Sequence, residues 1–323
     1  MVSLIIIGGP TGSGKSALAL DLAERIGGAI VNADNMQQYR DLRIITARPT
    51  LADHRRAPHY LYGHLPAEKP GSVGHWLRQA TRVIDEIKSQ ERTPIVVGGT
   101  GLYLRALLRG IADVPDVPSE IRVATTERFD ELGVPGFHQD LARRDPEQAA
   151  ILEPGDRQRL IRAAEVLEAT GKSLLYWRAQ PRQHAVLPEP IAGIALIPPR
   201  AALHRRIELR LQTMIDAGAF DELEALRAKD LRADLPLMKA VAVPELLAHL
   251  EGKLDLTTAF DRAAAKTRQF AKRQMTWLRH QLPELEPLNE FGDSAEAKIE
   301  PSAAFPLDLL TDLAIRHTVR STR

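Results

Sequence analysis

Residues 9–16 of the chain read Gly-Pro-Thr-Gly-Ser-Gly-Lys-Ser. Gly9, Gly12 and Gly14 let the backbone curl until successive N–H groups point at phosphate oxygens, with Pro10, Thr11 and Ser13 completing the cradle. The helix expected after the loop adds its positive end, Lys15 a point charge, and Ser16 a hydroxyl suited to Mg2+. An enzyme that hydrolyses ATP or GTP also needs an apolar strand ending in Asp to hold the metal. Here the candidate strand, Pro-Ile-Val-Val from 94, runs into Gly98, Gly99 and Thr100 instead, and no guanine-reading Asn/Thr-Lys-x-Asp motif follows. A carboxylate does stand at the end of another apolar stretch: Ala-Ile-Val-Asn-Ala-Asp, residues 29–34. Ligands of parallel α/β sheets gather at the carboxyl ends of the strands. The loop, Asp34 and Thr100 are therefore expected to share one crevice.

The elements that must bring these residues together follow from hydrophobic periodicity. Strands are expected at 3–8, 29–34, 94–99 and 191–199, and helices at Lys15 to about Ile26 and at 72–90. Leu18, Leu22 and Ile26 share one helical face, and Gly27-Gly28 ends that helix. Alternating strands and helices predict a P-loop NTPase-like α/β core, a parallel sheet flanked by helices. From 113 to 190 the pattern is helical, bounded by the Pro-rich stretches Ile-Ala-Asp-Val-Pro-Asp-Val-Pro and Leu-Pro-Glu-Pro. This predicts an all-helical insertion domain at 113–190, dividing the core into 1–112 and 191–283. Residues 284–323 read as an acidic, Pro-containing tail with one weak helix near 306–317.

Composition narrows the class. The chain of 323 residues has no cysteine, which removes disulfides, thiolate metal sites and cysteine nucleophiles. No apolar run reaches the roughly 20 residues needed to span a bilayer. Residues 1–9 carry no basic leader region and run straight into the loop, so a cytosolic protein without membrane association is expected. The net charge of +1 hides two basic stretches. Residues 262–280 hold six Lys or Arg and no acid, and 157–182 hold six against Glu165 and Glu168. Two such stretches in a near-neutral chain point to a polyanionic partner.

The series GPTGSGKS (9–16), NADNMQQYRDLRIITARP (32–49), PHYLYG (58–63), PIVVGGTGLYLRALLRG (94–110), DRQRLIRAAEVLEATGK (156–172), LHRRIELRLQTMIDAG (203–218) and TRQFAKRQMTWLR (267–279) resembles the tRNA dimethylallyltransferases. The resemblance implies transfer of a dimethylallyl group from dimethylallyl diphosphate to the exocyclic amine of adenosine 37 in the tRNA anticodon stem-loop. It further implies Asp34 as the group that accepts a hydrogen bond or proton from that amine, with Thr100 beside it. Gly9 to Ser16 and Arg210 would hold the diphosphate, with Mg2+ at Ser16. tRNA contacts are implied at Asp34, Asn35, Met36, Gln37, Thr100, Arg122, Gln158, Arg159, Leu160, Ile161, Arg162 and Lys239 to Pro244. The basic stretch adds Arg268 and Arg273, while Trp177 and Trp277 read as helix-packing residues. A monomer suffices for this chemistry.

Two departures stand out. Many members of that family read Asp-Ile-Gly-Thr-Ala-Lys-Pro where this chain has Arg43 to Pro49, and Gly-Tyr-Lys or Gly-Tyr-Arg where it has Ala242-Val243-Pro244. Both bear on tRNA affinity more than on chemistry. Two other readings stay open at this level: an adenylate isopentenyltransferase acting on free AMP, ADP or ATP, and a small-molecule kinase using the loop for a nucleotide.

Overall fold

The computed structural model describes residues 3–180, 182–183, 187 and 190–292; the weak helix expected near 306–317 lies outside them. The chain divides into two compact units, with boundaries between Leu108 and Arg109 and between His184 and Ala185.

The first unit begins with β1 (Leu4–Gly8), α1 (Lys15–Ile26), β2 (Ala29–Asn32), α2 (Leu51–Arg56), β3 (His59–Tyr60), α3 (Val73–Ser89), β4 (Pro94–Gly98) and α4 (Gly101–Arg109). The second unit follows with β5 (Ile111–Ala112), α5 (Ser119–Arg144), α6 (Pro146–Ala150), α7 (Arg157–Thr170), α8 (Leu174–Ala179) and β6 (Arg182–Gln183). The chain then returns to the first unit through β7 (Ile191–Leu196), α9 (Arg200–Asp216), α10 (Ala219–Arg227), α11 (Val243–Leu250), α12 (Leu256–Gln281) and β8 (Glu286–Leu288).

Six strands of the first unit form one parallel sheet in the order β3-β2-β4-β1-β7-β8. β1 is buried along its whole length, as an unbroken Leu-Ile-Ile-Ile run demands of a central strand covered on both faces. One face packs Ile5, Ile7, Ile30, Ile95, Val97 and Ile194 against Leu18 and Leu22 of α1. A second core joins Tyr39, Leu42 and Ile45 to Leu211 of α9, Leu223 of α10, Leu246 of α11 and Ala263 of α12. Two strands of this sheet lie beyond the sequence reading. β3 has only two residues, too short for periodicity to register. β8 pairs with β7 at Ile194–Glu286, Ala195–Pro287 and Leu196–Leu288, so the segment after 283 begins as an edge strand of the sheet.

The second unit is helical apart from the two-residue antiparallel pair β5–β6, Ile111 with Gln183 and Ala112 with Arg182, which ties its two chain crossings together. Its main core is built from Phe129, Phe137 and Leu141 of α5 and Leu160, Ala163 and Ala164 of α7. Gly133 turns the chain in the middle of α5 at a φ of 64°, just before Pro135, so two helical stretches meet there at a kink. Among the described residues no helix is long and apolar enough to cross a membrane.

Candidate active site at the carboxyl edge of the sheet

The phosphate loop leaves β1 and enters α1. Gly12 and Gly14 take φ values of 80° and 83°, a left-handed backbone that a side chain would strain. The turn is closed by Ser13 N–H donating to the Pro10 carbonyl at 3.2 Å, and the helix by Leu18 N–H donating to Gly14. No side chain caps the N-terminus of α1 and no acid lies in its first turn, so its first amides and dipole are left for an anion. Not every loop amide is available: Thr11 N–H donates to Oε1 of Gln274 at 2.9 Å. Thr11 thus stands in the loop with its backbone donor already paired, and only its side chain is left to face a ligand. A further contact comes from beyond β8, where Gly292 N–H donates to the Ser13 carbonyl at 2.9 Å.

Lys15 is buried under the loop, its amine donating to the Pro10 carbonyl at 3.4 Å. Burial pulls its pKa down to about 8; the Asp34 carboxylate draws it up, and the Arg210 guanidinium pushes it further down. Arg210, from α9, is likewise lowered by burial; Asp34 draws it back up and Arg206 lowers it further. Its guanidinium makes no hydrogen bond to a described residue. Two desolvated cations therefore flank one carboxylate, which suits a ligand carrying more than one negative charge. Ser16 is exposed in the first turn of α1, an oxygen donor of the kind Mg2+ accepts, close to where phosphate oxygens would sit. Among the described residues no three His, Asp or Glu side chains cluster as an all-protein metal cage.

Asp34 lies beyond the end of β2, held by a residue that sequence reasoning passed over. Asn32 is fully buried; its Oδ1 accepts the Asp34 N–H at 2.9 Å, and its Nδ2 donates to the carbonyls of Asp34 at 2.9 Å and Leu61 at 3.0 Å. This bracket ends the strand two residues before the sequence reading has it. Asp34 Oδ1 accepts the Met36 N–H at 3.0 Å, a local turn that leaves Oδ2 without a described hydrogen-bond donor. The Thr100 hydroxyl accepts the Asn35 N–H at 3.0 Å and Thr100 N–H reaches the Ala33 carbonyl at 3.3 Å, so Thr100 ties the loop after β4 to the loop after β2.

Beneath these loops lies an aromatic–amide network. Trp76 stacks on Tyr103 with centroids 4.5 Å apart and donates to the Asn32 carbonyl at 2.8 Å. The Tyr103 hydroxyl donates to Asn35 Oδ1 at 2.7 Å and accepts from Gln38 Nε2 at 2.9 Å. Burial raises the Tyr103 phenol above its usual range; burial raises Tyr62 further, with Asp34 adding to the effect. Tyr62 thus belongs to the carboxylate's surroundings. The signal was present in the stretch PHYLYG, but nothing local says which tyrosine turns inward.

Five of the expected tRNA contacts have buried side chains: Gln37, Leu160, Ala240, Ala242 and Val243, the last three within the expected run Lys239 to Pro244, where packing in the second core of the first unit removes them from the surface. Leu160 is 0% exposed in the core of the second unit, and the fourth position of a helix whose apolar face packs on α5 leaves it no access to RNA. Its assignment as an RNA contact is corrected accordingly. Ile161 is half-buried against the same core, whereas Gln158 and Arg159 are exposed. Gln37 is buried, with Nε2 donating to the Thr46 and Ala47 carbonyls at 2.9 and 3.0 Å. Asn35 and Met36 are half-buried, Met36 against the second core of the first unit. Arg122 donates to the Val117 carbonyl at 3.2 Å, and Arg162 pairs with Glu165 at 3.3 Å. Lys239 and Arg273 are exposed, while Arg268 is paired with Glu208. Lys272, Arg273, Thr276, Trp277 and His280 of α12 line a groove of about 530 Å³. Trp177 is a packing residue, its Nε1 donating to Thr170 at 3.1 Å.

The departures are readable in the structure. Ile45 stands where relatives often carry Gly, and its side chain is buried in the second core. The backbone N–H groups of Arg43, Ile44 and Ile45 all donate to the carboxylate of Glu222 from α10. Arg48 donates to the Arg40 carbonyl at 3.0 Å. Ala242 sits at the N-cap of α11 with a φ of 73°, the left-handed conformation in which glycine is at ease.

Known proteins were compared with this arrangement. The family model described as IPP transferase matches residues 37–281, and that described as Isopentenyl transferase matches residues 2–61. The chain is 47% identical over 302 residues to a tRNA dimethylallyltransferase of Nitrobacter hamburgensis, covering 94% of each. It is 48% identical over 282 residues to one from a Bradyrhizobium species, covering 87% of this chain and 92% of the relative. Among solved structures, the tRNA isopentenylpyrophosphate transferase of Bacillus halodurans is similar with a TM-score of 0.68 at 28% identity, over 100% of this chain and 99% of the other. A eukaryotic dimethylallyltransferase acting on tRNA shares the fold, with a TM-score of 0.77 at 24% identity over 100% and 80%.

Proposed function

The chain belongs to the IPP transferase family, and on that premise we propose that it transfers a dimethylallyl group from dimethylallyl diphosphate to N6 of adenosine 37 in tRNA. The observation that carries the reading is the crevice where an uncapped helix N-terminus, Lys15 and Arg210 face Asp34. An attack on phosphorus would call for an acid at the end of β4, where this chain has Gly98 to Thr100. Transfer of an allyl group needs something else: a cradle for a diphosphate leaving group and a base for an amine.

In this reading the bond between the allylic carbon and the diphosphate oxygen breaks, and the electron pair stays on the diphosphate. Loop amides, Lys15 and Arg210 neutralise that growing charge without moving, because burial has already desolvated them. The lone pair of N6 forms the new bond to carbon, and Asp34 Oδ2 takes the proton that N6 gives up. The bracket of Asn32 and the tie from Thr100 keep that carboxylate in place. Mg2+ held by Ser16 and the phosphate oxygens would add further charge stabilisation to the leaving group. The acceptor base must come out of its stack to reach Asp34, which an anticodon loop permits at modest cost. Gln158, Arg159, Lys239 and Arg273, all exposed, are the partners we assign to its phosphates. We assign the enzyme to the cytoplasm as a monomer.

The test is mass analysis of unmodified tRNA after incubation with the protein, dimethylallyl diphosphate and Mg2+, with AMP and ATP as competing acceptors. A five-carbon adduct on adenosine 37, reduced on the order of 100-fold or more in Asp34→Asn, is the expected result. Labelling of AMP with tRNA untouched would transfer the reading to an adenylate isopentenyltransferase. Tight Mg2+-dependent ATP binding with no affinity for dimethylallyl diphosphate would transfer it to a kinase.

A further inference from the structure

Helix α12 carries one side chain that reaches both halves of the crevice. Gln274 is 6% exposed; its Oε1 accepts the N–H of Thr11 in the phosphate loop, and its Nε2 donates to the carbonyl of Gly99 in the loop after β4, both at 2.9 Å. The residues it joins are 175 and 263 positions away in the chain. A methyl group on Gly99 would stand 2.3 Å from Nε2, so only glycine leaves the amide room to reach the carbonyl. One turn further along α12, Trp277 fills the place a side chain at Gly101 would need, 1.9 Å from its Cδ1. Thr100 is thus gripped on both sides, and its hydroxyl in turn accepts the Asn35 N–H beside Asp34. A direct backbone bond, Gly9 N–H to the Gly98 carbonyl, is longer at 3.3 Å and lies at the strand end below the amide.

We propose that Gln274 is a positioning residue that holds the phosphate cradle in register with the acceptor-side loop, so that donor carbon and acceptor nitrogen meet within bonding reach. The inference rests on the prenyl-transfer reading above. In that reaction the donor carbon is located only through its diphosphate, and the acceptor only through the loop that carries Asp34. The two groups belong to different loops, and their separation is set by whatever joins those loops. A displacement of about 1 Å between reacting groups costs on the order of 100-fold in rate. An amide does this where an apolar side chain of equal size does not, since one end must accept and the other donate. Gln274 is also the buried neighbour of exposed Arg273, so the helix face assigned to RNA and the diphosphate cradle share one rigid element.

Gln274→Ala and Gln274→Glu are compared with the wild type by single-turnover transfer at saturating donor and tRNA. Donor and tRNA affinities and the melting temperature are measured alongside. The single-turnover rate of both variants is expected to fall about 10- to 100-fold, with tRNA affinity changed by less than about twofold. Glu carries a second, diagnostic readout. Ionised, it opposes the Gly99 carbonyl; protonated, it restores an acceptor and a donor in the glutamine's place. Its burial raises the carboxyl pKa, so its rate relative to wild type should recover as pH is lowered from about 8 to 6 while that of Gln274→Ala should not. Variants as fast as wild type per folded molecule overturn the proposal, as does a deficit that saturating donor abolishes. Wild-type enzyme that leaves tRNA unmodified overturns the prenyl-transfer reading and this one with it, whereas an active wild type with equally active variants overturns this one alone.

Discussion

Lys15 offers a test in which the cause of a binding energy can be titrated. Burial lowers its pKa to about 8, against an ordinary value of 10.5. Below pH 8 the amine is an ammonium facing the phosphate loop; above it, the free protein loses that charge. A bound diphosphate restores the pKa toward its ordinary value, because its negative charge stabilises the ammonium that burial has stripped of water. Donor affinity should therefore be nearly flat around pH 7 and fall close to tenfold for each pH unit well above 8, about 1.4 kcal/mol per unit. Between pH 7 and 9 the expected loss is about tenfold. The phosphates complete their ionisation near pH 6 and add no slope in this range. Arg210 adds none either, since a guanidinium keeps its proton throughout. Calorimetric titration with dimethylallyl diphosphate, in the absence of tRNA and at fixed Mg2+, measures this directly. Lys15→Arg and Lys15→Met are the controls: each changes affinity by a fixed factor, and in each the slope above pH 8 disappears. An affinity flat to pH 9.5 in the wild type, or an unchanged slope in Lys15→Arg, would refute the assignment of Lys15 as the titrating phosphate contact.

Two further substitutions probe the departures from the family pattern. Ala242→Gly relieves a left-handed backbone worth about 1–2 kcal/mol, but loses a buried methyl of about 0.8 kcal/mol and adds about 0.5–1 kcal/mol of unfolded-state entropy. It should be near neutral in denaturant unfolding, while Ala263→Gly in the interior of α12, with the same losses and no relief, should cost about 1.5 kcal/mol; equal losses at both sites would contradict the argument. Glu222→Gln leaves three consecutive amides with a weaker acceptor and should destabilise the 43–48 loop by about 1–3 kcal/mol. Because that loop holds Gln37, KM for tRNA should rise while donor affinity measured without tRNA stays unchanged.

Much of the chemistry was legible one residue at a time. A glycine-rich loop followed by Lys and Ser declares itself because the backbone shape it needs is written into local sequence, and an Asp after an apolar run declares a strand end. The parallel core was legible for the same reason: Ile-Ile-Ile and Ile-Val-Val can only be strands buried on both faces. What failed to register had no local signature. β8 is three residues in an acidic, Pro-rich stretch, and only the free edge of β7 makes a strand of it. Leu160 lies within a run of polar and basic residues, yet its helical phase sends it into the core.

The amino-acid sequence by itself pointed to a phosphate-bearing ligand, since a phosphate loop and a strand-terminal carboxylate are short-range patterns whose spacing states their use. Tertiary structure alone decided how the pieces act on one another. Asn32 brackets Asp34, Glu222 gathers three amides from 43–45, and Gln274 joins Thr11 to Gly99. The reason is physical: a buried amide or carboxylate must find partners wherever the fold supplies them, and chain separations of 175 and 263 positions leave no trace in any local window.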